Sequence, residues 1–457
     1  MSNNMSKVVE YIEAHKQEYL DELFVFLRQK SISTTNEGVT DCAELLADIM
    51  RKAGIENVQI FQTKRHPVVY GDILVDPSLP TQLVYGHYDV QPADPIELWD
   101  SDPFEPVIRN DRIYCRGSSD DKAQLFTYIK GVEAYMAVNG RNLPINIKYM
   151  FEGEEEIGSE NLEEFVVAHK DLLKCDAAIY SDGHMHEMGY PILLLGHKGM
   201  MTMEMTVTEA SRDTHSMRAP AIPSAMWKMV EILHSMKDET GIIKIKGFYE
   251  GVREPNTLEI ETAKRIPVDV DAIKRSYGLD HLVQNRTGDN YYYNIVFEPT
   301  CNIAGIYGGY MGEGSKTVLP NKVTVKMDMR LVPGQDPYDI LEKLKRHLAE
   351  HGWTKGVDIK TFHMNYAART PIDNPYVPLA AIAVERAFGE KPVLFPSVGG
   401  GGPHFIFDRQ MHIPVIEIPL ALADQNNHAP NESMGLRGFF CGIRMAAELI
   451  AVLGEGK

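Results

Sequence analysis

The sequence predicts an α/β protein in which a largely parallel sheet is interrupted by an inserted α+β domain. Short apolar runs alternate with helical patterns early in the chain, and the same alternation resumes near its end. Between these parts, long segments around Met203 and Val325 alternate hydrophobic and polar residues, which is typical of strands with one covered face. We therefore assign residues 1–198 and 367–457 to one domain and residues 199–366 to the insertion.

The elements of the first domain follow one another in a regular order. An amphipathic helix over Lys7–Lys30 precedes a second helix over Asp41–Ala53, which ends before Gly54. A third helix is predicted over Lys122–Val138, where apolar residues recur every three or four positions. Apolar runs that stop at glycine or acidic residues predict buried strands, at Gln82–Gly86, Ile145–Phe151 and Ala177–Tyr180.

The insertion and the last part of the chain differ in pattern. Within the insertion, Pro223–Met236 predicts a helix, and Lys244–Asn294 is an irregular, charged stretch. The last part returns to a helix, a glycine run, a strand and a closing helix, at Pro378–Phe388, Gly399–Gly402, Ile413–Leu420 and Gly435–Leu453.

The composition excludes several classes of partner. With 46 basic and 64 acidic residues the formal charge is −18, which argues against nucleic acid and against anionic membrane surfaces. The five cysteines are scattered and form no CxxC pair, as expected for reduced thiols in the cytoplasm. The N-terminal helix has no apolar signal core, and no segment approaches the ~20 apolar residues of a membrane span, so we expect a cytoplasmic protein.

Polar residues that could bind metal follow the predicted strands. His87 and Asp89 are two positions apart in an extended segment, so both can face one site. Asp120 and Asp121 precede the helix that begins at Lys122, where both could cap the helix, or Asp120 could bridge two cations while Asp121 caps. Taken alone, His87 and Asp89 are better explained as an ordinary histidine and aspartate in a loop after a strand, and neither motif by itself decides between a metal site and these simpler explanations.

The glutamate run Glu154–Glu156 is harder to explain as a solvated surface. It follows an apolar strand and is flanked by glycines, so its like charges would repel one another at the sheet edge unless a cation neutralised them. Asp182 and His428 also follow predicted strands. Two histidines and several carboxylates without a cysteine suit zinc, manganese or cobalt, and a shared carboxylate suits two ions about 3.5–4 Å apart.

Five segments together carry a family resemblance: GHYDVQP from Gly86, RGSSDDK from Arg116, EGEEEIGS from Glu152, YSD from Tyr180 and HAPNE from His428. In this order and spacing, across nearly the whole chain, the sequence resembles the dinuclear metallopeptidase family of carnosinases, cytosolic nonspecific dipeptidases, aminoacylases, desuccinylases and glutamate-releasing carboxypeptidases. Trp99–Phe104 and Arg330–Gly334 are most similar to the dipeptidase branch.

The resemblance implies a metal ligand at each of five positions. His87 and Asp182 would hold one ion, Glu156 and His428 would hold the other, and Asp120 would bridge the two. The ions would be zinc or manganese, with cobalt as a further possibility.

The resemblance also implies two residues that serve the reaction without binding metal. Asp89 would orient His87, and Glu155 would be the general base that takes a proton from the bridging water and returns it to the leaving amine. Glu155 must remain free of metal for this role, unlike its neighbour Glu156.

For the insertion, the resemblance implies a ferredoxin-like lid and dimerisation domain on a two-part catalytic domain. His215 would polarise the scissile carbonyl, typically in the partner subunit, while Arg330 would bind the substrate carboxylate and Thr317 would be a polar substrate contact. Gly401 stands where dipeptidase relatives carry a serine. Without the resemblance, His215 is explained as a surface turn residue and Arg330 as a member of a cross-strand ion pair.

These implications predict a homodimeric hydrolase with two divalent metal ions per subunit. It would cleave the amide bond of dipeptides or short peptides with a free carboxylate. An N-acyl-amino-acid amidohydrolase, acting as a deacylase or desuccinylase, would share the metals and Glu155. A non-catalytic relative that binds metal or peptide is the alternative of another class, and the complete set of expected ligands weighs against it.

Overall fold

The computed structural model describes residues 3–283 and 289–455. Its described residues form two compact units: the first contains residues 3–195, 370–396 and 406–455, and the second contains residues 196–283, 289–369 and 397–405. The chain therefore leaves the first unit and returns to it.

Up to residue 195 the chain alternates strands and helices. The helices are α1 (Asn3–Ala14), α2 (Lys16–Arg28), α3 (Val39–Lys52), α4 (Lys122–Asn139), α5 (Leu162–Ala168) and α6 (Lys170–Leu173). The strands are β1 (Glu56–Phe61), β2 (Val68–Ile73), β3 (Thr81–His87), β4 (Val107–Arg109), β5 (Arg112–Tyr114), β6 (Asn146–Glu152), β7 (Ala177–Tyr180) and β8 (Ile192–Leu194). The single helix predicted over Lys7–Lys30 is in fact two helices, because α1 ends before His15 and α2 begins after it.

Residues 196–369 form four long strands, four two-residue strands and five described helices. The strands are β9 (Gly196–His197), β10 (Gly199–Thr208), β11 (Thr214–His215), β12 (Asn302–Gly308), β13 (Val318–Leu319), β14 (Lys322–Leu331), β15 (Val357–Asn365) and β16 (Ala368–Arg369). The helices are α7 (Ala225–Met236), α8 (Thr257–Lys264), α9 (Val270–Tyr277), α10 (Asp289–Phe297) and α11 (Pro337–Glu350). The remaining elements are α12 (Tyr376–Phe388), β17 (Val393–Phe395), α13 (His404–Met411), β18 (Val415–Glu417), β19 (Ser433–Gly435) and α14 (Leu436–Glu455).

The first unit is built on an eight-stranded sheet with the order β1-β2-β6-β3-β7-β18-β8-β17. Its centre, β6-β3-β7-β18, is parallel, and antiparallel pairs flank it on both sides. Apart from Thr81 at the start of β3, the residues of β3, β6 and β7 are all buried, as is typical of the central strands of a parallel sheet. Parallel strands end at one edge, so the residues after β3, β6 and β7 lie together, as the α/β prediction requires.

The second unit contains an antiparallel sheet with the order β12-β14-β10-β15. Along the chain, β10, α7, β12, β14, α11 and β15 follow the β-α-β-β-α-β pattern of ferredoxin-like domains. Alternate residues of β10 and β14 are buried against α7 and α11, which explains the alternating pattern seen in the sequence.

The stretch predicted to be irregular contains helices instead, so that prediction was wrong for Lys244–Asn294. Asn256 and Glu259 form a reciprocal capping box at the start of α8. The side chain of Asp269 caps α9, which ends at Gly278 in the left-handed conformation. Residues 284–288 of this stretch lie outside the described residues.

The glycine run lies in the second unit. Val398 donates its backbone N–H to the carbonyl oxygen of Gly196 at 3.1 Å, and Lys198 donates to the carbonyl oxygen of Gly400 at 3.0 Å. These bonds hold residues 397–405 against β9, although they are close in sequence to strands of the first unit. Across the described ranges, no helix is both long enough and apolar enough to cross a membrane.

Candidate active site

The ends of the central strands bring the predicted ligands together in the first unit. His87 is the last residue of β3 and pairs with Glu152 at the end of β6. Asp182 follows β7 by two residues, and Asp120 precedes α4, which packs against β3. His87 and Asp120 are buried, although both carry polar side chains.

Two groups of potential metal ligands share Asp120. In one, Nε2 of His87 lies 3.1 Å from Oδ1 of Asp120 and 3.7 Å from Oδ2 of Asp182. In the other, Nε2 of His428 lies 3.0 Å from Oδ2 of Asp120 and 3.1 Å from Oε2 of Glu156. Each oxygen of the Asp120 carboxylate therefore faces a different group, which is the arrangement a bridging ligand needs.

The chemistry of these donor sets fits divalent cations. Ligand atoms about 2.0–2.2 Å from one ion lie about 3–3.5 Å from one another, close to the separations found within both groups. The donors are oxygen and imidazole nitrogen only, as suits zinc or manganese. Nδ1 of His87 is 3.1 Å from the backbone oxygen of Asp89, so the N–H at Nδ1 donates there and leaves Nε2 free to bind a cation.

Several carboxylates and both histidines of the site have raised pKa values when no cation is bound, whereas hydrogen bonds to His428 and His87 lower the pKa of the Asp120 carboxyl group. Burial and the charge of Asp120 raise the pKa of Asp182 to about 7. Burial also raises the pKa of Glu155 well above its ordinary value, as do the charges of Asp182 and Glu156. Hydrogen bonds to Asp120 and Glu156 raise the pKa of His428 to about 10. Protons therefore neutralise part of the negative charge of the site in the absence of a cation, and metal binding would release these protons.

Asp89 contacts the backbone of the glutamate turn as well as the ring of His87. Its Oδ1 is 3.5 Å from Nδ1 of His87, farther away than its own backbone oxygen. The carboxylate also accepts the backbone N–H groups of Glu155 at 3.2 Å and Glu156 at 3.1 Å. Asp89 therefore joins the segment that carries one ligand to the segment that carries the predicted base.

Asp121 does not cap α4 with its side chain, so the expected capping role was wrong. Its Oδ2 instead accepts the backbone N–H of His87 at 3.2 Å. Burial, together with the charges of Asp182 and Asp120, raises the pKa of this carboxyl group well above its ordinary value. The local sequence cannot show this contact, because His87 is distant along the chain.

The glutamate run forms a tight turn. Residues Glu155–Ile157 make a single 3₁₀ turn that ends at Gly158, whose φ of 94° lies in the region that favours glycine. Gly153 allows Tyr88 to approach, because a Cβ there would lie 2.6 Å from the tyrosine oxygen. The flanking glycines are thus required by this turn and its packing.

Glu154 is buried and belongs to the support of the turn. Its Oε1 accepts hydrogen bonds from the Thr63 hydroxyl at 2.7 Å and the His66 backbone N–H at 2.8 Å. Its Oε2 accepts from Nδ2 of Asn161 at 2.7 Å. These bonds hold the residue before Glu155 in place.

The structure adds Gln91 to the predicted residues. Its Nε2 donates to Oε2 and to the backbone oxygen of Glu156, both at 3.0 Å. Gln91 lies two positions after Asp89, so the side-chain alternation of an extended segment could have indicated that it faces the same site.

The predicted substrate residues lie in the second unit, in two pairs. His215 and Thr317 are exposed, and their Nε2 and Oγ1 atoms are 3.2 Å apart. Nη1 of Arg330 lies 4.0 Å from where a Cβ on Gly401 would be placed. Arg330 also lies 3.6 Å from Asp328, two positions earlier on β14, so its ion pair lies along one strand instead of crossing between strands.

Comparisons with known proteins agree on one family. The model of the peptidase family M20/M25/M40 matches residues 83–452. The Cys-Gly metallodipeptidase dug1 of Schizosaccharomyces pombe is 28% identical over 97% of this chain and 97% of that protein. The human Beta-Ala-His dipeptidase is 27% identical over 99% of this chain and 93% of that protein. The crystal structure of an M20 family metallo-carboxypeptidase from Sulfolobus solfataricus is 34% identical, covers 96% of this chain and 99% of its own, and has a TM-score of 0.87.

We expect the stability that Mn²⁺ adds to the metal-free protein to increase as the pH rises from 6 to 8. The folded metal-free protein binds protons at Asp182 and His428 more tightly than the unfolded chain, because their pKa values are raised to about 7 and about 10. Its stability is therefore lost as the pH rises through this window. Thermal unfolding with and without Mn²⁺ measures the difference.

The variant Asp182→Asn is the control, because it removes one titrating group and should flatten the pH dependence of the metal-free protein. An Mn²⁺-dependent increase in Tm that is the same at pH 6 and pH 8 would contradict the expectation.

Proposed function

Because the chain belongs to the peptidase family M20/M25/M40, we propose that it hydrolyses the amide bond of dipeptides or short peptides with a free carboxylate. The observation that carries the proposal is the Asp120 carboxylate shared between two donor groups, beside a glutamate that belongs to neither. When bound, two divalent cations would polarise the amide carbonyl and lower the pKa of the attacking water.

The protein's own part in the reaction centres on Glu155. Its carboxylate accepts a proton from the attacking water and then delivers it to the nitrogen of the leaving amine. The hydrogen bond from its backbone N–H to Asp89 holds the residue in position. Its neighbour Glu156 is engaged with His428 and Gln91, so the two adjacent glutamates have different roles.

The names of the relatives support a small-peptide substrate. Two of them are called Cys-Gly metallodipeptidase and Beta-Ala-His dipeptidase, and both align with this chain over nearly its whole length. A third similar protein is called a metallo-carboxypeptidase. All three names describe hydrolysis of a peptide bond.

We assign recognition of the substrate to the second unit, as a lid and dimerisation domain. Arg330 would bind the substrate carboxylate through its planar guanidinium group, and backbone N–H groups near Gly401 would assist in the absence of a serine hydroxyl. His215 would polarise the scissile carbonyl, with Thr317 orienting its ring. The bond between His215 and Thr317 supports this pairing.

The proposal also covers the identity of the metal ions, the cellular compartment and the oligomeric state. Zinc or manganese suits the oxygen and nitrogen donors. A reducing cytoplasm suits five cysteines that are all free. A homodimer, formed through the second unit, would allow His215 to serve the active site of the partner subunit.

The variant Glu155→Gln should keep its metal and lose most of its activity. The glutamine cannot accept a proton, so we expect kcat to fall by about 10²- to 10⁴-fold. Metal analysis by mass spectrometry should find an unchanged metal content and identify the ions. The variant Glu160→Gln makes the same change at an exposed position of the same loop and should retain full activity. A Glu155→Gln protein with a near-normal rate of hydrolysis would contradict the assignment of Glu155 as the general base.

A panel of matched substrates tests the proposed specificity. Free dipeptides should be cleaved faster than their N-acetylated forms, and amidation of the C-terminus should lower kcat/KM by at least about 10-fold, because a charge-assisted contact to Arg330 is lost. Faster turnover of the acetylated forms would instead support the amidohydrolase. No hydrolysis across the panel by metal-loaded protein would support the non-catalytic relative.

Mixing two inactive variants tests the role of His215 across a dimer. His215→Ala and Glu155→Gln homodimers should each be impaired, and exchange of subunits should create one active site in which both residues are intact. We therefore expect mixtures to recover part of the activity. Absence of recovery, with subunit exchange verified by mass spectrometry of the mixed dimer, would contradict the arrangement.

A further inference from the structure

We propose that Glu432 is a positioning residue that determines metal affinity, because its carboxylate holds in place the loop that presents Asp120 to both donor groups. The inference rests on the proposed dinuclear site and adds to it a residue that binds neither metal nor substrate. Glu432 ends the HAPNE segment, four positions after His428. No donor group in the described residues includes it.

Five hydrogen bonds connect the Glu432 carboxylate to the loop before α4. Oε2 accepts from Nη1 of Arg116 at 2.7 Å and from the backbone N–H of Gly117 at 3.1 Å. Oε1 accepts from the backbone N–H of Ser119 at 2.7 Å, from its hydroxyl at 3.0 Å and from the backbone N–H of Asp120 at 3.1 Å. The position of Asp120 is therefore set directly by Glu432.

The strands next to these segments keep them together. The strand β19 pairs antiparallel with β5, and Ser433 lies opposite Tyr114. The backbone N–H of Cys115 donates to the carbonyl oxygen of Glu432 at 3.2 Å. The loop that carries Asp120 thus begins where the segment that carries His428 ends.

We call the Glu432 carboxylate with its five hydrogen bonds the Glu432 clamp. Arg116 links this clamp to a third segment. Its Nη2 donates to the carbonyl oxygen of Pro92 at 3.0 Å, and its guanidinium lies 5.4 Å from the centre of the Trp99 ring. Pro92 follows the segment that contains His87 and Asp89. Through Arg116, Glu432 therefore connects three of the segments that supply ligands.

Because the Glu432 clamp is buried, even a conservative substitution of Glu432 should disturb its hydrogen bonds. The side chains of Glu432 and Arg116 are only 0% and 1% exposed, so water cannot replace lost hydrogen bonds. A glutamine at this position has one acceptor atom, and its NH₂ group would face donors that need an acceptor. Changes to groups that hold metal ligands in place commonly weaken metal binding by about 10- to 100-fold.

A purely structural role for this buried pair is the competing explanation. It predicts that replacing Glu432 would destabilise the fold without any selective effect on metal binding. Glu448 in α14 provides a matched control, because it is equally buried and lies 3.5 Å from Nη1 of Arg386. Glu448 belongs to neither donor group.

The test compares wild type, Glu432→Gln and Glu448→Gln in the full chain. Titration of each metal-free protein with Mn²⁺ by calorimetry gives the Kd, and urea unfolding gives the stability. We expect Glu432→Gln to raise the Kd about 10- to 100-fold and Glu448→Gln to leave it unchanged. An unchanged Kd in folded Glu432→Gln, or an equal change in Glu448→Gln, would overturn the proposal.

Kinetics with a hydrolysed dipeptide provide a second readout. The effect of Glu432→Gln should appear as a requirement for more Mn²⁺ and as a lower kcat, with KM for the peptide nearly unchanged. A raised KM at saturating Mn²⁺ with normal metal affinity would overturn the proposal. Because the calorimetric measurement needs no substrate, its outcome is separate from success or failure of the proposed peptidase activity.

The variant Ser119→Ala keeps the test decisive if Glu432→Gln does not fold. It removes only the hydroxyl donor and leaves the carboxylate and both backbone donors to Oε1 in place. The Mn²⁺ Kd should rise by roughly 2- to 10-fold, as expected for one hydrogen bond. An unchanged Kd in this variant would count against the clamp.

Discussion

The organisation of the first unit depends on one constraint: several carboxylates must lie close together, partly out of water, at one edge of a parallel sheet. Asp120, Asp182, Glu155 and Glu156 would repel one another if all were charged. Protons relieve this repulsion without metal, as the raised pKa values of Asp182, Glu155 and Glu156 show. In the proposed function two divalent cations would relieve this repulsion, and so part of the net charge of −18 lies at the candidate active site.

The segments at this edge are held by a common device. Three carboxylates outside the two donor groups accept backbone N–H groups of the segments that carry the proposed ligands and the proposed base. Asp89 accepts from Glu155 and Glu156, Asp121 accepts from His87, and Glu432 accepts from Asp120. Because a backbone N–H is rigidly attached to its residue, each bond restricts where the functional side chain can lie. These acidic residues therefore divide into those of the two donor groups and those that hold the backbone of neighbouring segments in place.

The sequence could predict the features that follow from strand order, but not those that depend on contacts between distant segments. The positions of His87 and Asp182 follow from strand order, because parallel strands end at the same edge whatever their loops do. The hydrogen bond from His87 to Asp121 and the clamp of Glu432 depend on contacts between distant segments, which no local pattern records. The helices α8 and α9 within Lys244–Asn294 were missed for a different reason, since they are short, charged and defined mainly by their caps.

The glycine run, which we propose helps to bind the substrate carboxylate, contains two positions with different packing constraints. At Gly402 a Cβ would lie 2.3 Å from Nδ1 of His197, so this position has no room for a side chain. At Gly401 the nearest atoms are the Lys198 backbone oxygen at 3.8 Å and Nη1 of Arg330 at 4.0 Å, which are ordinary contact distances. Glycine at 401 is therefore not required by packing, and a serine would fit there beside the guanidinium. Gly401 belongs to the second unit and the five proposed metal ligands belong to the first, so under the proposed function a serine at 401 would add a hydroxyl beside Arg330 and leave the composition of the donor groups that share Asp120 unchanged.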